Sequence, residues 1–181
     1  PSISKLLLRD SMHCEIEGES VIAIREEMSN VPCIDIIGPI TARSKISDFL
    51  GKKFNQFSLK EFNQFRLKLG IPVFGFELTE DFNPLEAGLI SHISFNKGCY
   101  IGQEVVARLN TYDKVQRKLV KLAWQGNLDR KEITCDGKPI GVITSAEKGI
   151  GLGFVRNTYA ELQKELDCGD RKIVVTEILA E

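Results

Sequence analysis

The stretch 97–104, with the sequence KGCYIGQE, is the part of the chain whose residue types are best suited to a reactive site. Its cysteine, Cys99, follows a lysine and a glycine, and residues 103–109 read as a short helix with one apolar face. The cysteine therefore precedes a helix N-terminus, where unpaired N–H groups and the helix dipole favour an anion, and Lys97 adds a positive charge. Both effects stabilise the thiolate, the reactive form of the side chain. A buried structural cysteine is the alternative interpretation, because free cysteines are commonly buried.

A Cys–His nucleophile pair is the second candidate chemistry, because His92 lies seven residues before Cys99 and a base within reach activates a thiol. However, residues 92–95 read as a strand with one face in the core, and no third residue is marked to orient the imidazole. We therefore disfavour a Cys–His dyad.

Two further patterns carry weaker signals. A basic cluster follows the motif, at Arg108, Lys114, Arg117, Lys118 and Lys121. It could contact phosphate, but we favour a solvated face on a barrel strand. Glycines 149, 151 and 153 have GxGxG spacing without the helix and acidic residue of a dinucleotide fold, so we reject that match.

Composition limits the function classes. The chain has 181 residues, 43% hydrophobic and 27% charged, with a formal net charge of −1. We therefore expect a globular protein with no global electrostatic footprint for nucleic acid and no membrane-spanning segment. Five cysteines, at 14, 33, 99, 135 and 168, form no CxxC pair, so we expect reduced thiols in the cytoplasm and no metal site. Because the chain begins at Pro1, we expect a piece of a longer protein.

The elements that position the motif are predicted from periodicity and turn residues. Strands are expected at 12–17 and 20–25, joined at Gly18, and at 31–37. Thr41 is expected to cap a helix ending at Gly51. A second helix begins with a Ser58–Glu61 capping box, and its predicted buried stripe consists of Leu59, Phe62, Phe65 and Leu69. Arg66 borders that stripe, either as a surface arginine with a buried stem or as a cation directed into a pocket.

The residues after the second helix are predicted to form mainly strands and connections. Residues 72–78 and 92–95 read as strands, separated by the acidic connection 79–89. After residue 110, short strands alternate with glycine turns, at about 120–124, 140–144, 150–155 and 171–179, and residues 158–166 could form helical turns. This pattern predicts a small barrel or sandwich. We place the domain boundary between residues 112 and 113.

Residues 93–108 resemble the signature of YgfZ-like proteins, which are folate-binding relatives of the glycine-cleavage T-protein (aminomethyltransferase). Bacterial members are also named tRNA-modifying proteins. Residues 66–72 are similar to the family's R-x-x-x-G-I-P segment, and 141–145 with 151–156 are similar to the motif of its C-terminal barrel. The chain departs from the family at 110–113, where a glycine is usual. The family also has a longer N-terminal portion, and we expect this chain to begin after it. Residues 84–89 are as similar to the T-protein as to the YgfZ-like pattern.

The resemblance implies an α+β fold: a partial aminomethyltransferase-like folate-binding domain at 1–112, then a small β-barrel domain at 113–181. It implies a folate-binding accessory protein for iron–sulfur cluster assembly or repair, with tetrahydrofolate as cofactor. Iron–sulfur assembly proteins or their clients would be its partners, in the cytoplasm or in the mitochondrial matrix of a eukaryote. The alternatives are an aminomethyltransferase, which would transfer a one-carbon unit to tetrahydrofolate, and a non-catalytic docking scaffold.

The same resemblance assigns roles to five residues. Cys99 is the expected catalytic or cluster-handling thiol, held by Lys97, Gly98 and Tyr100, which we place with Arg66 in the cofactor site. Arg66 is the expected partner of the folate glutamate carboxylate, because a guanidinium offers two parallel donors. No metal ligand is assigned.

Overall fold

The structure is a computed structural model that describes residues 7–95, 97–98, 102, 104 and 115–180. By internal packing the chain divides into two compact units, Pro1–Phe62 and Asn63–Glu181. The first unit contains an antiparallel sheet in the order β1-β2-β3, with β1 (Ser11–Ile16), β2 (Glu19–Met28) and β3 (Val31–Ile37). The three strands predicted in this region are therefore confirmed.

Two-residue turns with positive φ close both hairpins of this sheet. Glu17 (φ 52°) and Gly18 (φ 78°) form the first turn, and Ser29 (φ 50°) and Asn30 (φ 64°) form the second. Turns of this kind match the right-handed twist of the flanking strands. They fix the register of the sheet.

The first helix, α1 (Arg43–Gly51), follows a 3-10 turn at Ile40–Ala42. Its N-cap residue is Ala42, with no side-chain capping hydrogen bond, so the prediction that Thr41 caps the helix is wrong. The 3-10 turn starts the helix instead, with the Ala42 N–H donating to the Pro39 carbonyl at 3.0 Å. The predicted end at Gly51 is confirmed.

The second helix, α2 (Leu59–Leu69), begins with the predicted capping box. The Ser58 N–H donates to Glu61 Oε2 at 2.8 Å, and the Glu61 N–H donates to Ser58 Oγ at 3.3 Å. These bonds satisfy two of the helix's unpaired N–H groups. The hydrogen bonds from the Ser58 hydroxyl and N–H hold the pKa of Glu61 below its ordinary value.

The predicted buried stripe of α2 is wrong at Leu59 and Phe62, whereas Phe65 and Leu69 are half-buried. Leu59 is 89% exposed and Phe62 is 39% exposed, whereas the buried residues of the helix are Arg66 and Leu67. Leu67 belongs to a buried cluster with Leu119 and Phe154, so the helix buries its last turns rather than the stripe read from its sequence.

Two predicted strands between α2 and the barrel are also wrong. Residues 72–78 form a tight loop around Gly75 (φ 83°), in which the Val73 carbonyl accepts hydrogen bonds from the N–H groups of Glu77 and Leu78. In place of a strand at 92–95, a 3-10 turn at Ile90–His92 leads into irregular chain. Both short apolar runs lack a neighbouring strand to pair with among the described residues.

The second unit ends in a closed antiparallel barrel in the order β4-β7-β6-β5-β8-β9. Its strands are β4 (Arg117–Trp124), β5 (Glu132–Cys135), β6 (Lys138–Glu147), β7 (Ile150–Arg156), β8 (Glu165–Cys168) and β9 (Arg171–Ile178). The predicted barrel is confirmed. The four-residue strands β5 and β8 were not predicted. The helical turns expected at 158–166 are reduced to one 3-10 turn at Asn157–Tyr159, and β8 begins at Glu165.

The barrel interior is an apolar core that includes Val120, Leu122, Ile143 and Val155. Close strand approach explains the glycines of β7: a Cβ on Gly151 would lie 2.4 Å from the Ser145 carbonyl oxygen, and one on Gly153 would lie 2.6 Å from that of Val142. The GxGxG spacing therefore serves packing.

The predicted domain boundary between 112 and 113 lies outside the described residues and stays a prediction. Within the second unit, residues 63–95 and the barrel share the buried cluster of Leu67, Ala87, Leu119, Leu152 and Phe154.

Candidate functional site

Arg66 lies near the C-terminal end of α2, and its side chain is buried in the second unit. The helix ends at Gly70 (φ 73°), whose N–H donates to the Leu67 carbonyl, and the Ile71 N–H donates to the Arg66 carbonyl at 2.9 Å. This is a Schellman motif, which needs a left-handed residue at Gly70. The chain turns back sharply there, so the following loop, 71–78, lies beside the last turn of α2.

Arg66 and Glu77 form an ion pair inside this unit. Arg66 Nη1 lies 3.0 Å from Glu77 Oε2, and the side chains are 1% and 0% exposed. Glu77 Oε2 also accepts the Val73 N–H at 3.1 Å, and Glu77 Oε1 accepts the hydroxyls of Thr144 and Ser145 at 2.7 and 2.5 Å. Both carboxylate oxygens therefore have two donors each.

All three nitrogen atoms of the Arg66 guanidinium are hydrogen-bonded to protein groups. Nε donates to Asn63 Oδ1 at 2.7 Å, Nη1 to the Ile71 carbonyl at 3.2 Å and Nη2 to Ser145 Oγ at 2.7 Å. A buried charge is stable only when it is paired and hydrogen-bonded in this way. The network joins α2, the loop 71–78 and barrel strand β6.

Arg66 is therefore neither a surface side chain nor a cation open to a ligand pocket. Its assigned contact with a folate carboxylate stays a prediction, and that contact would require the guanidinium to leave Glu77 and Ser145. Sequence reasoning missed Glu77 and Ser145. The signal for Glu77 was a single acidic residue inside the apolar run 71–78, where an unpaired carboxylate would be costly.

A second ion pair connects the turn 83–88 with the start of β4. Arg117 donates from Nε to Glu86 Oε1 at 3.0 Å and from Nη2 to Glu86 Oε2 at 3.1 Å, a bidentate arrangement. The guanidinium also lies 4.9 Å from the ring centroid of Phe82, which stacks on Phe154 with centroids 3.6 Å apart. Glu86, another residue that sequence reasoning missed, is 6% exposed.

The contacts of Arg117 and Lys121 show that these two members of the basic cluster do not belong to a purely solvated face, as the sequence had suggested. Arg117 is bound to Glu86, and Lys121 Nζ is paired with Glu177 and donates to the Lys68 carbonyl at 3.0 Å. Both side chains fix neighbouring segments to the barrel. Arg108 and Lys114 lie outside the described residues.

A groove of about 970 Å³ runs over the outer face of the barrel where β4, β6 and β7 meet. It is lined by Val115, Gln116, Arg117, Pro139, Ile140, Gly141, Val142, Phe154, Arg156, Asn157 and Thr158. Its walls combine apolar side chains with arginine, amide and hydroxyl groups, the composition typical of small-molecule sites. No motif in the sequence indicated this groove.

The predicted motif is described only in part. Lys97 and Gly98 are exposed, and a Cβ added at Gly98 would meet no atom within 4 Å. Cys99 and Tyr100 lie outside the described residues, so their assigned roles stay predictions. His92 is exposed and its Nδ1 lies 3.1 Å from Ser91 Oγ, which corrects the expectation that it sits in a half-buried strand.

Neither a cluster of metal-ligand side chains nor a helix able to span a membrane is present in the described part of the chain. No group of three or more His, Cys, Asp or Glu side chains there is placed to hold a metal ion. No described helix is long and apolar enough to cross a membrane.

The residues assigned to folate differ in their surroundings among the described positions. Arg66 is enclosed by its own partners, whereas Lys97 and Gly98 are exposed. Their assignment to a cofactor site stays a prediction.

Comparison with known proteins identifies the class of fold. Residues 116–178 match the family model described as the CAF17 C-terminal beta-barrel domain. The crystal structure of the glycine cleavage system aminomethyltransferase T from Bartonella henselae superposes on 98% of the chain and 53% of its own, with a TM-score of 0.76 at 20% identity. The chain therefore has the mixed α/β fold of the T-protein with a closed six-stranded barrel, as predicted.

Curated relatives point to the same superfamily. A protein of Arabidopsis thaliana, named as a putative chloroplastic transferase, is 40% identical over 108 residues, which is 56% of this chain and 25% of the relative. An aminomethyltransferase of Caldanaerobacter subterraneus is 34% identical over 107 residues, 54% of this chain and 28% of the relative. The chain thus spans about a quarter of the length of these relatives.

Proposed function

We propose that this chain is a folate-binding accessory protein that acts in iron–sulfur cluster assembly or repair, with Cys99 as its working thiol. The observation that carries the proposal is the sequence KGCYIGQE at 97–104, which precedes in the chain a barrel of the CAF17 C-terminal type at 116–178. The T-protein-like fold and the aminomethyltransferase relatives support the folate part.

Cys99 is suited to this role by its sequence neighbours. Lys97 lies two residues before Cys99 in the sequence, and a nearby lysine favours the thiolate. A thiolate binds iron and exchanges with other thiols, whereas a thiol does neither well. Iron or a cluster would be the cargo of this thiol, received from or delivered to a partner protein. Cytoplasm or an organelle interior, where thiols stay reduced, is the expected location.

The folate part is tested by titrating tetrahydrofolate into the 181-residue chain and into the longest form that the gene encodes. We expect saturable binding, weakened about tenfold or more in Lys97→Ala. Lys164→Ala, which removes the same charge from the barrel surface, is the matched control and should bind normally. The absence of saturable binding in both forms would contradict the folate part.

Aminomethyltransferase activity is the second candidate function, favoured by the 34% identical relative with that name. Such an enzyme transfers a one-carbon unit to tetrahydrofolate and has no need of the Cys99 thiol. One-carbon transfer by wild-type protein that persists in Cys99→Ala would support this candidate against the thiol role.

The rate of Cys99 alkylation as a function of pH tests whether the sequence around Cys99 favours the thiolate. We expect a midpoint below about 8.5, the ordinary pKa of a cysteine thiol. A midpoint at or above that value would overturn the argument.

A further inference from the structure

The groove on the outer face of the barrel contains two arginines placed directly opposite each other. Arg117 on β4 and Arg156 on β7 are paired in the antiparallel register. Side chains of a directly opposed pair project from the same face of the sheet and lie close together, so like charges there repel. A natural sequence tolerates such a pair where something else compensates the charge.

Only one of the two arginine charges is compensated by an acidic side chain among the described residues. Arg117 is neutralised by the bidentate contact with Glu86. Arg156 is exposed and forms no ion pair or hydrogen bond through its side chain within the described part of the chain. Glu132 of the neighbouring strand faces Val142 across β5 and β6 and is not paired with Arg156.

The surroundings of Arg156 combine apolar surface with further hydrogen-bonding groups. Pro139, Val142 and Phe154 supply apolar atoms of the groove, whereas Asn157 and Thr158 are exposed and follow Arg156 directly. The 3-10 turn at Asn157–Tyr159 is held to the start of β4 by the Asn157 N–H, which donates to the Gln116 carbonyl at 2.9 Å. The groups that line this part of the groove are therefore fixed by the barrel.

From this geometry we infer that the groove binds an organic anion, with its carboxylate or phosphate group on Arg156 and its apolar body against Val142 and Pro139. A guanidinium pairs with either group through parallel N–H donors. The anion supplies the negative charge that the opposed Arg117–Arg156 pair lacks. The volume of about 970 Å³ lies within the range of ligand sites. The inference is independent of the folate proposal.

The test uses benzoate, phenyl phosphate and the neutral benzyl alcohol as probes, titrated into the 181-residue chain and followed by amide chemical shifts. We expect both anions to shift the amides of Val142, Asn157 and Thr158 saturably in the millimolar range, as suits ligands of about ten heavy atoms. Benzyl alcohol should bind about tenfold more weakly or not at all. The ratio of the two anion affinities then identifies whether carboxylate or phosphate is the preferred group.

Arg156→Gln should weaken anion binding about tenfold or more while leaving the fold intact, because it also removes the repulsion with Arg117. Arg171→Gln, which removes an exposed arginine of β9 outside the groove, is the matched control and should bind like the wild type. Three results would each overturn the inference: no shifts at the groove amides, equal binding of benzyl alcohol, or the same loss in both variants.

Discussion

The guanidinium of Arg66 and the carboxylate of Glu77 form an ion pair at 3.0 Å in which neither side chain is more than 1% exposed. The pair joins the end of α2 to barrel strand β6 through Thr144 and Ser145. The bonds from Thr144 and Ser145 to Glu77 connect groups 67 and 68 residues apart in the sequence. The network therefore holds the loop 71–78 against the barrel.

Removing one partner of this pair should leave a buried charge without compensation. We expect Arg66→Met or Glu77→Gln to lower the free energy of unfolding by about 3–5 kcal/mol. Trp124, the only tryptophan of the chain, lies on β4 and reports barrel unfolding in urea by its fluorescence.

Lys172→Met is the control for this prediction, because it breaks an exposed pair with Asp167 and should produce no measurable change. Equal midpoints for Lys172→Met and Glu77→Gln would show that the buried pair contributes nothing to stability.

Gly88 should be sensitive to a single added methyl group. Its φ is 75°, and a Cβ there would lie 2.1 Å from the backbone oxygen of Leu179, which cannot move as a side chain can. Gly137 is the matched control, with φ 72° and no atom within 4 Å. Gly137→Ala should cost about 1–2 kcal/mol for the left-handed backbone alone.

Gly88→Ala should cost clearly more than Gly137→Ala in the same urea experiment, because backbone strain and a backbone clash add. A loss in Gly88→Ala no larger than that in Gly137→Ala would contradict the close approach to Leu179.

The capping box at the start of α2 should make part of the stability depend on pH. Hydrogen bonds from Ser58 lower the pKa of Glu61 in the folded protein. Because the pKa of Glu61 is lower in the folded protein, its ionised carboxylate stabilises the fold fully above pH 4.5, the ordinary pKa. That stabilisation is lost as the pH falls through the pKa of the folded protein.

Ser58→Ala removes the capping hydroxyl, which typically costs about 1 kcal/mol. The variant should therefore lose less stability than the wild type on acidification from about pH 6 to pH 3, followed by circular dichroism in urea. Parallel pH profiles for the two proteins would show that Ser58 does not set the pKa of Glu61.

Cys168 should be the least reactive of the barrel thiols. It is fully buried, and burial raises its pKa, with the negative charge of Asp129 as a smaller cause. A raised pKa keeps the thiol protonated at neutral pH, and the thiol also donates to the Arg130 carbonyl at 3.2 Å.

Iodoacetamide labelling followed by mass spectrometry compares Cys168 with Cys135, which is only half-buried. We expect Cys135 to react first in the folded protein and both to react in urea. Labelling of Cys168 as fast as Cys135 without denaturant would contradict the buried environment.

The barrel and the N-terminal sheet were predictable because their signals are local. Asp136-Gly137 and Glu17-Gly18 are turns that specify a hairpin on their own, and Val120, Leu122 and Trp124 alternate as a half-buried strand must. Similarly, the Ser58–Glu61 capping box needs only four residues. The strands β5 and β8 were missed because four residues are too few to establish a period.

The candidate site was harder to predict because its members meet only through the fold. Glu77 and Ser145 are 68 residues apart, and nothing in the sequence of either segment indicates the other. The run 72–78 looks like a strand, yet Gly75 and the burial of Glu77 beside Arg66 turn it into a loop. In the same way, the opposed Arg117–Arg156 pair follows from strand register, which the sequence pattern does not supply.

The central claim, that Cys99 works in iron–sulfur cluster assembly or repair, is tested most directly in cells that lack this gene. The measurement is the activity of cluster-dependent enzymes after the gene is restored as wild type, Cys99→Ala or the control Cys135→Ala. We expect wild type and Cys135→Ala to restore that activity and Cys99→Ala to leave it at the level of the deletion. Full restoration by Cys99→Ala, at matched protein abundance, would contradict the claim.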